Sequence, residues 1–317
     1  MSKDNKNIIT KTWAVALLAL VCSLLWGSAF SGVKIGYKLF NVNSSDWPSQ
    51  MVFAGIRFTV AGIMAFAMGS LKEKKVLLPS RGAVSKIIVI CLFQTVLQYF
   101  FYYIGLAHTT GTKAAIIVAA NVFTAILISA LLFKQEKLTV KKIAGCIIGF
   151  GGIILINAKG LGEGISLNFL GDGFIFLCTV ASGFSSVFMK KYSKNENPVM
   201  LSSWQFFMGG IIMWIFGWVN GGKIAASSMS AVIMLLYLAF VSAAAYSLWA
   251  TLLKYNPVSK VAVFGFMNPV CGVIISSLWL GEKGAFSLTG AASLILVCMG
   301  IYIVNRSTKP QKAKLES

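Results

Sequence analysis

Ten apolar runs, each about 17 to 25 residues long, divide this chain from one end to the other. Their approximate limits are 13–36, 49–70, 86–106, 114–133, 140–157, 169–190, 199–219, 230–253, 259–280 and 288–305. A bilayer hydrocarbon core about 30 Å thick is crossed by about 20 helical residues, so each run is long enough to span. Of the 317 residues, 57% are hydrophobic and 12% are charged. That charged share is about half of the roughly 25% usual in a soluble domain, which points to lipid as the solvent. The formal net charge of +19 in a soluble protein would read as a nucleic-acid footprint. Here most lysines fall between apolar runs, the pattern of a polytopic membrane protein, and no nucleic-acid partner is expected. A signal peptide is the rival reading of the first run. Its apolar core is long, however, and "WGSAFSGVK" has no convincing A-x-A site, so it is taken as a span.

Orientation follows from the basic residues. With the N-terminus in the cytoplasm, ten spans return the C-terminus there. The cytoplasmic segments then carry 21 of the 28 basic residues, including Lys72, Lys74, Lys75, Lys141, Lys190 and Lys191. The outer segments carry only six: Lys34, Lys38, Lys113, Lys159, Lys223 and Lys283. Arg57, deep in span 2, is the one left over. The bias supports both the orientation and the span count, since one missed span would invert every later loop. The cell membrane, with both tails (1–12 and 306–317) cytoplasmic, is the expected location.

The halves resemble one another. "VKKIAGCIIGFGGIILIN" (Val140–Asn157) aligns with "LTGAASLILVCMGIYIVN" (Leu288–Asn305) without a gap. "NVFTAILISALLFKQE" resembles "NPVCGVIISSLWLGE", and "WGSAFSGVK" aligns with "SGFSSVFMK", pairing Gly27 with Gly183. Each half holds five spans, an odd number, so the second half enters the membrane from the opposite side. The expected fold is therefore all-α and integral to the membrane, with ten transmembrane helices in two inverted five-helix repeats, residues 13–157 and 168–305. Such repeats place a solute site at their interface near mid-membrane.

These residues resemble the EamA-type transporters of the drug/metabolite transporter superfamily. The resemblance rests on "WGSAF" in span 1, Pro48 and Arg57 in span 2, and "YYIGLAHTTGTKAA" between spans 3 and 4. Asn268, Pro269, Gly281 and Glu282 complete it in span 9. It implies two repeats around a central cavity that opens alternately to each side, moving amino acids or other small organic solutes. The first repeat departs from the pattern, with "NVF" and "FKQE" in place of Pro and Gly-Glu. Helix 4 is thus expected to lack the proline irregularity of helix 9.

Polar side chains inside spans are costly unless paired or wetted, which makes them candidate cavity linings. Gln94, Gln98 and Tyr102 recur at i, i+4, i+8 in span 3; Ser242, Tyr246 and Trp249 form a second stripe in span 8. Asn121 and Asn268 hold near-equivalent places in the halves. Pro269 should weaken its helix and either free a carbonyl or make a packed kink. Gln205, with Trp204, is the candidate of span 7. Ser28, Gly32 and Gly36, and Gly145 and Gly149, recur at spacing four and permit close helix approach. Arg57 has two readings: a cation facing the cavity, holding or steering an anionic group, or a structural side chain bonded to carbonyls. The resemblance favours the second.

All nine acids lie in loops or at helix ends, so no membrane carboxylate is on offer for a drug cation or for proton coupling. Facilitated diffusion or exchange gains weight. No GxxxxGK[ST] loop occurs, and no ATP-driven step is expected. The six cysteines sit in apolar runs without a CxxC pair, so neither a disulfide framework nor a zinc site is expected, and no cofactor. With one histidine and no embedded acid, an intramembrane enzyme is the remote alternative, as is a channel, which would conduct without saturating. The expected function is a secondary transporter of small polar or amphiphilic metabolites, amino acids or related solutes, by alternating access. A multidrug or toxic-metabolite exporter of the same fold is the alternative. The solute and the lipid bilayer are the expected partners; monomer and homodimer both stay open.

Overall fold

In the computed structural model, the described residues are 9–134, 138–156, 168–256, 261, 263–282 and 287–306. Among them lie ten long helices and no strand. They are α1 (Thr12–Leu39), α2 (Trp47–Glu73), α3 (Arg81–His108), α4 (Gly111–Leu132), α5 (Val140–Ile156), α6 (Phe169–Tyr192), α7 (Pro198–Val219), α8 (Met229–Tyr255), α9 (Met267–Leu280) and α10 (Leu288–Arg306). Seven of these, α1 to α4 and α6 to α8, are long and apolar enough to cross a membrane by length and composition. Helices α9 and α10 are apolar but shorter. Most of the expected tails, together with Asn157 and Glu136, lies outside the described residues.

Helix ends are set by local chemistry. Asp46 Oδ1 accepts from the Ser49 amide at 3.1 Å and Pro48 follows in the first turn, which starts α2. Helix α2 stops where Lys74 turns left-handed, at φ 51°. Asn197 caps α7 in the same way, its Oδ1 accepting from Val199 N at 2.8 Å, with Pro198 next. The N-terminus of α4 is capped from afar. Both Glu282 carboxylate oxygens accept from backbone amides there, Gly111 N and Thr112 N, each at 2.8 Å. A carboxylate at a helix N-terminus meets unsatisfied amides and the positive end of the dipole.

The most extensive packing joins helices of the first five to helices of the last five: α2 with α7, α5 with α10, α1 with α8 and α9, α2 with α8, α3 with α6 and α7, and α4 with α6 and α9. Exchanging each helix for its counterpart five places on returns the same set. The core of the molecule is thus the seam between its halves. Glycines let backbones touch across it. A Cβ on Gly55 would meet the Trp214 backbone and one on Gly210 the backbone of Thr59. A Cβ on Gly300 would lie 2.6 Å from Gly145 O. Gly32 and Gly36, by contrast, make room for the side chains of Leu238 and Phe53.

Helix α4 corrects one expectation. It has no proline, yet its backbone tightens just before Asn121. Ala120 N bonds Ile117 O at 2.9 Å and Val122 N bonds Ala119 O at 3.4 Å, both i to i−3. In the other half a short 3₁₀ turn, Val263–Phe266, precedes Asn268 in the same way. Pro269 then falls in the first turn of α9, where its missing N–H costs nothing. Since both halves tighten and only one has proline, proline is not required for it. Gly27 abuts Cys271 and Gly272, while its aligned partner Gly183 abuts Thr124 and Ala125. Thr124 Oγ1 also donates to Thr179 O of α6 at 2.8 Å.

Candidate functional site

Arg57 is 2% exposed and held entirely by protein. Its Nε donates to Leu238 O at 3.1 Å, Nη1 to the Tyr103 hydroxyl at 2.6 Å, and Nη2 to Ser242 Oγ at 2.9 Å. These bonds tie α2 to α3 and α8. Tyr37 extends the network by donating to Tyr103 O at 2.9 Å. Of the two readings of Arg57, the structural one accounts for its hydrogen bonds.

The amides behave differently. Gln205 is fully buried and Gln94 is 6% exposed. Thr95 donates to Gln205 Oε1, which leaves Gln205 Nε2 without a protein partner. Gln94 Oε1, Gln98 Oε1 and Asn268 Oδ1 are likewise buried and without one. The same holds for Trp26 Nε1. Buried polar atoms are nearly always paired, so each exception calls for a reason such as water or a ligand. Four of the nine expected site residues carry such an atom.

Aromatic side chains connect them. Trp26 of α1 meets Tyr246 and Trp249 of α8, with ring centroids 5.4 Å apart in each case. Tyr246 packs on Phe206, the neighbour of Gln205, at 5.0 Å, and its hydroxyl interacts with Tyr99 and Gln94. Tyr102 is buried against Phe30 and Tyr99. Tyr246 and Trp249 therefore meet around Trp26, Gln94 reaches them through the Tyr246 hydroxyl, and Gln205 is held by Thr95, the residue next to Gln94. Asn268 sits one turn before the Cys271–Gly272 contact with Gly27. Asn121 is partly buried in α4, where its carbonyl accepts from Thr124 Oγ1 at 3.1 Å. The regular stripe of Gln94, Gln98 and Tyr102 is altered because the turns of α3 widen to π-helix over Cys91–Leu97. Tyr99 and Trp26 were not singled out from the sequence. Trp26 precedes the glycine of "WGSAF", and its indole N–H inside an apolar span was the available signal.

Two cavities lie toward opposite ends of α1, about 30 Å apart by helical rise. One, of about 610 Å³, is walled by Trp13, Leu17, Met68, Val199 and Leu248, with Lys72 and Thr251 beside them. The other, of about 320 Å³, is lined by Lys34, Tyr37, Lys38, Ala107, Leu280 and Glu282. None of the nine expected residues lines either cavity. Along α1, Trp26 lies between them. At the second cavity the link from α3 to α4 is clamped. Lys34 Nζ donates to Thr109 O at 2.6 Å, Thr109 Oγ1 donates to Asp172 at 2.6 Å, and Asn168 Nδ2 donates to His108 O at 3.0 Å. This clamp and the Glu282 cap involve the two stretches "AHTTGTK" and "GE".

Residues 13–158 and, again, residues 169–306 match the EamA-like transporter family. The chain belongs to that family. An uncharacterized transporter of Bacillus subtilis, YvbV, is 27% identical over 96% of this chain and 95% of its own length. An uncharacterized transporter of Archaeoglobus fulgidus is 25% identical over 93% and 99%. A solved crystal structure aligns with TM-score 0.62 at 19% identity, covering 92% of this chain and 96% of the other, which is a likeness of fold. This EamA-family chain is a multi-pass membrane protein of a transporter family.

Proposed function

We propose that this EamA-family protein is a secondary transporter. It moves small polar or amphiphilic metabolites, amino acids or related solutes, across the cytoplasmic membrane by alternating access. The carrying observation is the group of buried amides with unpartnered atoms among aromatic rings, placed between two cavities at opposite ends. A solute or water reaching that group from either end would complete its hydrogen bonds. The ten-span, inverted-repeat architecture draws support from packing pairs that persist when helices are exchanged five places on. The two family matches support repeats at 13–157 and 168–305. Positive charge in the cytoplasmic loops supports cytoplasmic tails.

The apolar walls of the larger cavity favour one second reading, an exporter of amphiphilic drugs or toxic metabolites by the same fold. A thermal-shift screen of the purified protein against a metabolite library, followed by transport in proteoliposomes, tests both. Saturable uptake with trans-stimulation by a metabolite supports the first. Stabilisation by amphiphilic drugs alone, with their extrusion, replaces it with the second. Conductance without saturation would overturn both.

A further inference from the structure

Hydrogen bonding and charge are separate matters: Arg57 has its hydrogen bonds and the face of the Phe58 ring 4.9 Å from its Cζ, but no anion among the described residues faces it. Its three partners, a carbonyl, a phenol and a hydroxyl, are all neutral. Ion pairs join Lys86 to Glu196 and Lys113 to Asp172, both at helix ends. Asp46 and Glu282 are committed to helix N-termini. No acidic side chain among the described residues lies beside the guanidinium. Arginine does not deprotonate in proteins, so a full positive charge stays buried in a low-dielectric centre. Tyr103, which Arg57 bonds, packs on Tyr99 and Tyr102 with ring centroids 6.2 and 5.7 Å apart, and Tyr99 interacts in turn with Tyr246. The charge is therefore next to the amide and aromatic group, not remote from it.

We infer that Arg57 sets the charge selectivity of the transporter, so that its solutes carry a carboxylate, as organic acids or zwitterions, and organic cations are rejected. The inference rests on the proposed solute site and names its substrate class. Arg57 acts here as a positioning charge, without displacing its protein partners. A unit charge about 10 Å away at an effective dielectric of about 20 changes binding by on the order of tenfold, in opposite directions for anion and cation.

The test uses the purified full chain in detergent at neutral pH. Binding is measured by thermal shift for matched pairs of small molecules that share an aromatic or alkyl body and differ as carboxylate against amine. The matching zwitterion is included. The expected result is that carboxylate and zwitterion bind at least about tenfold more tightly than amine in the wild type. Arg57→Lys keeps that order and Arg57→Gln abolishes it. Amines that bind as well as carboxylates in the wild type would overturn the inference, whatever the variants do. So would an unchanged order in Arg57→Gln, or no binding by any member of the series. Gln98→Ala separates this failure from that of the site itself. If it abolishes binding while charge makes no difference, the site stands and the charge rule falls. If neither variant alters binding, both fall.

Discussion

Arg57 and Gln98 both place polar atoms in the interior, but they differ in what their removal should do. Arg57→Ala strips the donors from Tyr103, Ser242 and Leu238, and leaving buried groups unpaired costs about 1–3 kcal/mol each. We expect it to destabilise the protein by about 3–5 kcal/mol, read as a lowered midpoint of unfolding in detergent. Gln98 loses no observed bond through its Oε1 when truncated. Gln98→Ala should therefore leave the unfolding midpoint nearly unchanged while transport in proteoliposomes falls by tenfold or more. Normal transport in that variant would remove Gln98 from the site. These residues were legible because polarity inside an apolar run stands out against its neighbours. Tyr99 and Trp26 were not, because an aromatic residue in a membrane span serves equally as packing. Only its neighbours in space decide.

At the scale of elements, α2 and α7 touch backbone to backbone at Gly55 and Gly210. Gly55→Leu leaves no route for its side chain except into the Trp214 main chain. We expect misfolding, seen as loss of a monodisperse peak on size-exclusion chromatography. Gly82→Ala, where a Cβ would meet nothing within 4 Å, should be silent in the same assay. The Glu282 cap on α4 is weaker but specific. Glu282→Gln keeps the shape and loses the charge, so a loss of about 0.5–2 kcal/mol is expected. An unchanged unfolding midpoint would mean that the cap is not held in the membrane. Helix existence and order were readable, since a span must be long and apolar whatever surrounds it. The tight turn of α4 before Asn121 was not, because no residue there forces it. There α4 packs on α6 at Gly183 and Thr179.

For the whole molecule, the proposed topology makes a labelling prediction. All five described buried cysteines and the half-buried Cys298 should label poorly, giving a quiet background. Single cysteines placed at Lys75 and Ser193 should react from the cytoplasmic face and those at Ser44 and Lys223 from the other. Lys75 and Ser193 labelled from opposite faces would exclude two inverted five-helix repeats. The amino-acid sequence by itself determined that this chain lives in lipid, how many apolar segments it has, their order, and the likeness of its halves. Those follow from hydropathy, length and charge, properties each segment carries alone. Only the tertiary structure decided that the main contacts cross between the halves, that neutral groups bind Arg57, and that Tyr246 joins Gln94 to Trp26. Those facts depend on which faces of distant helices turn toward each other, and a run that is apolar on every side does not say which face that is.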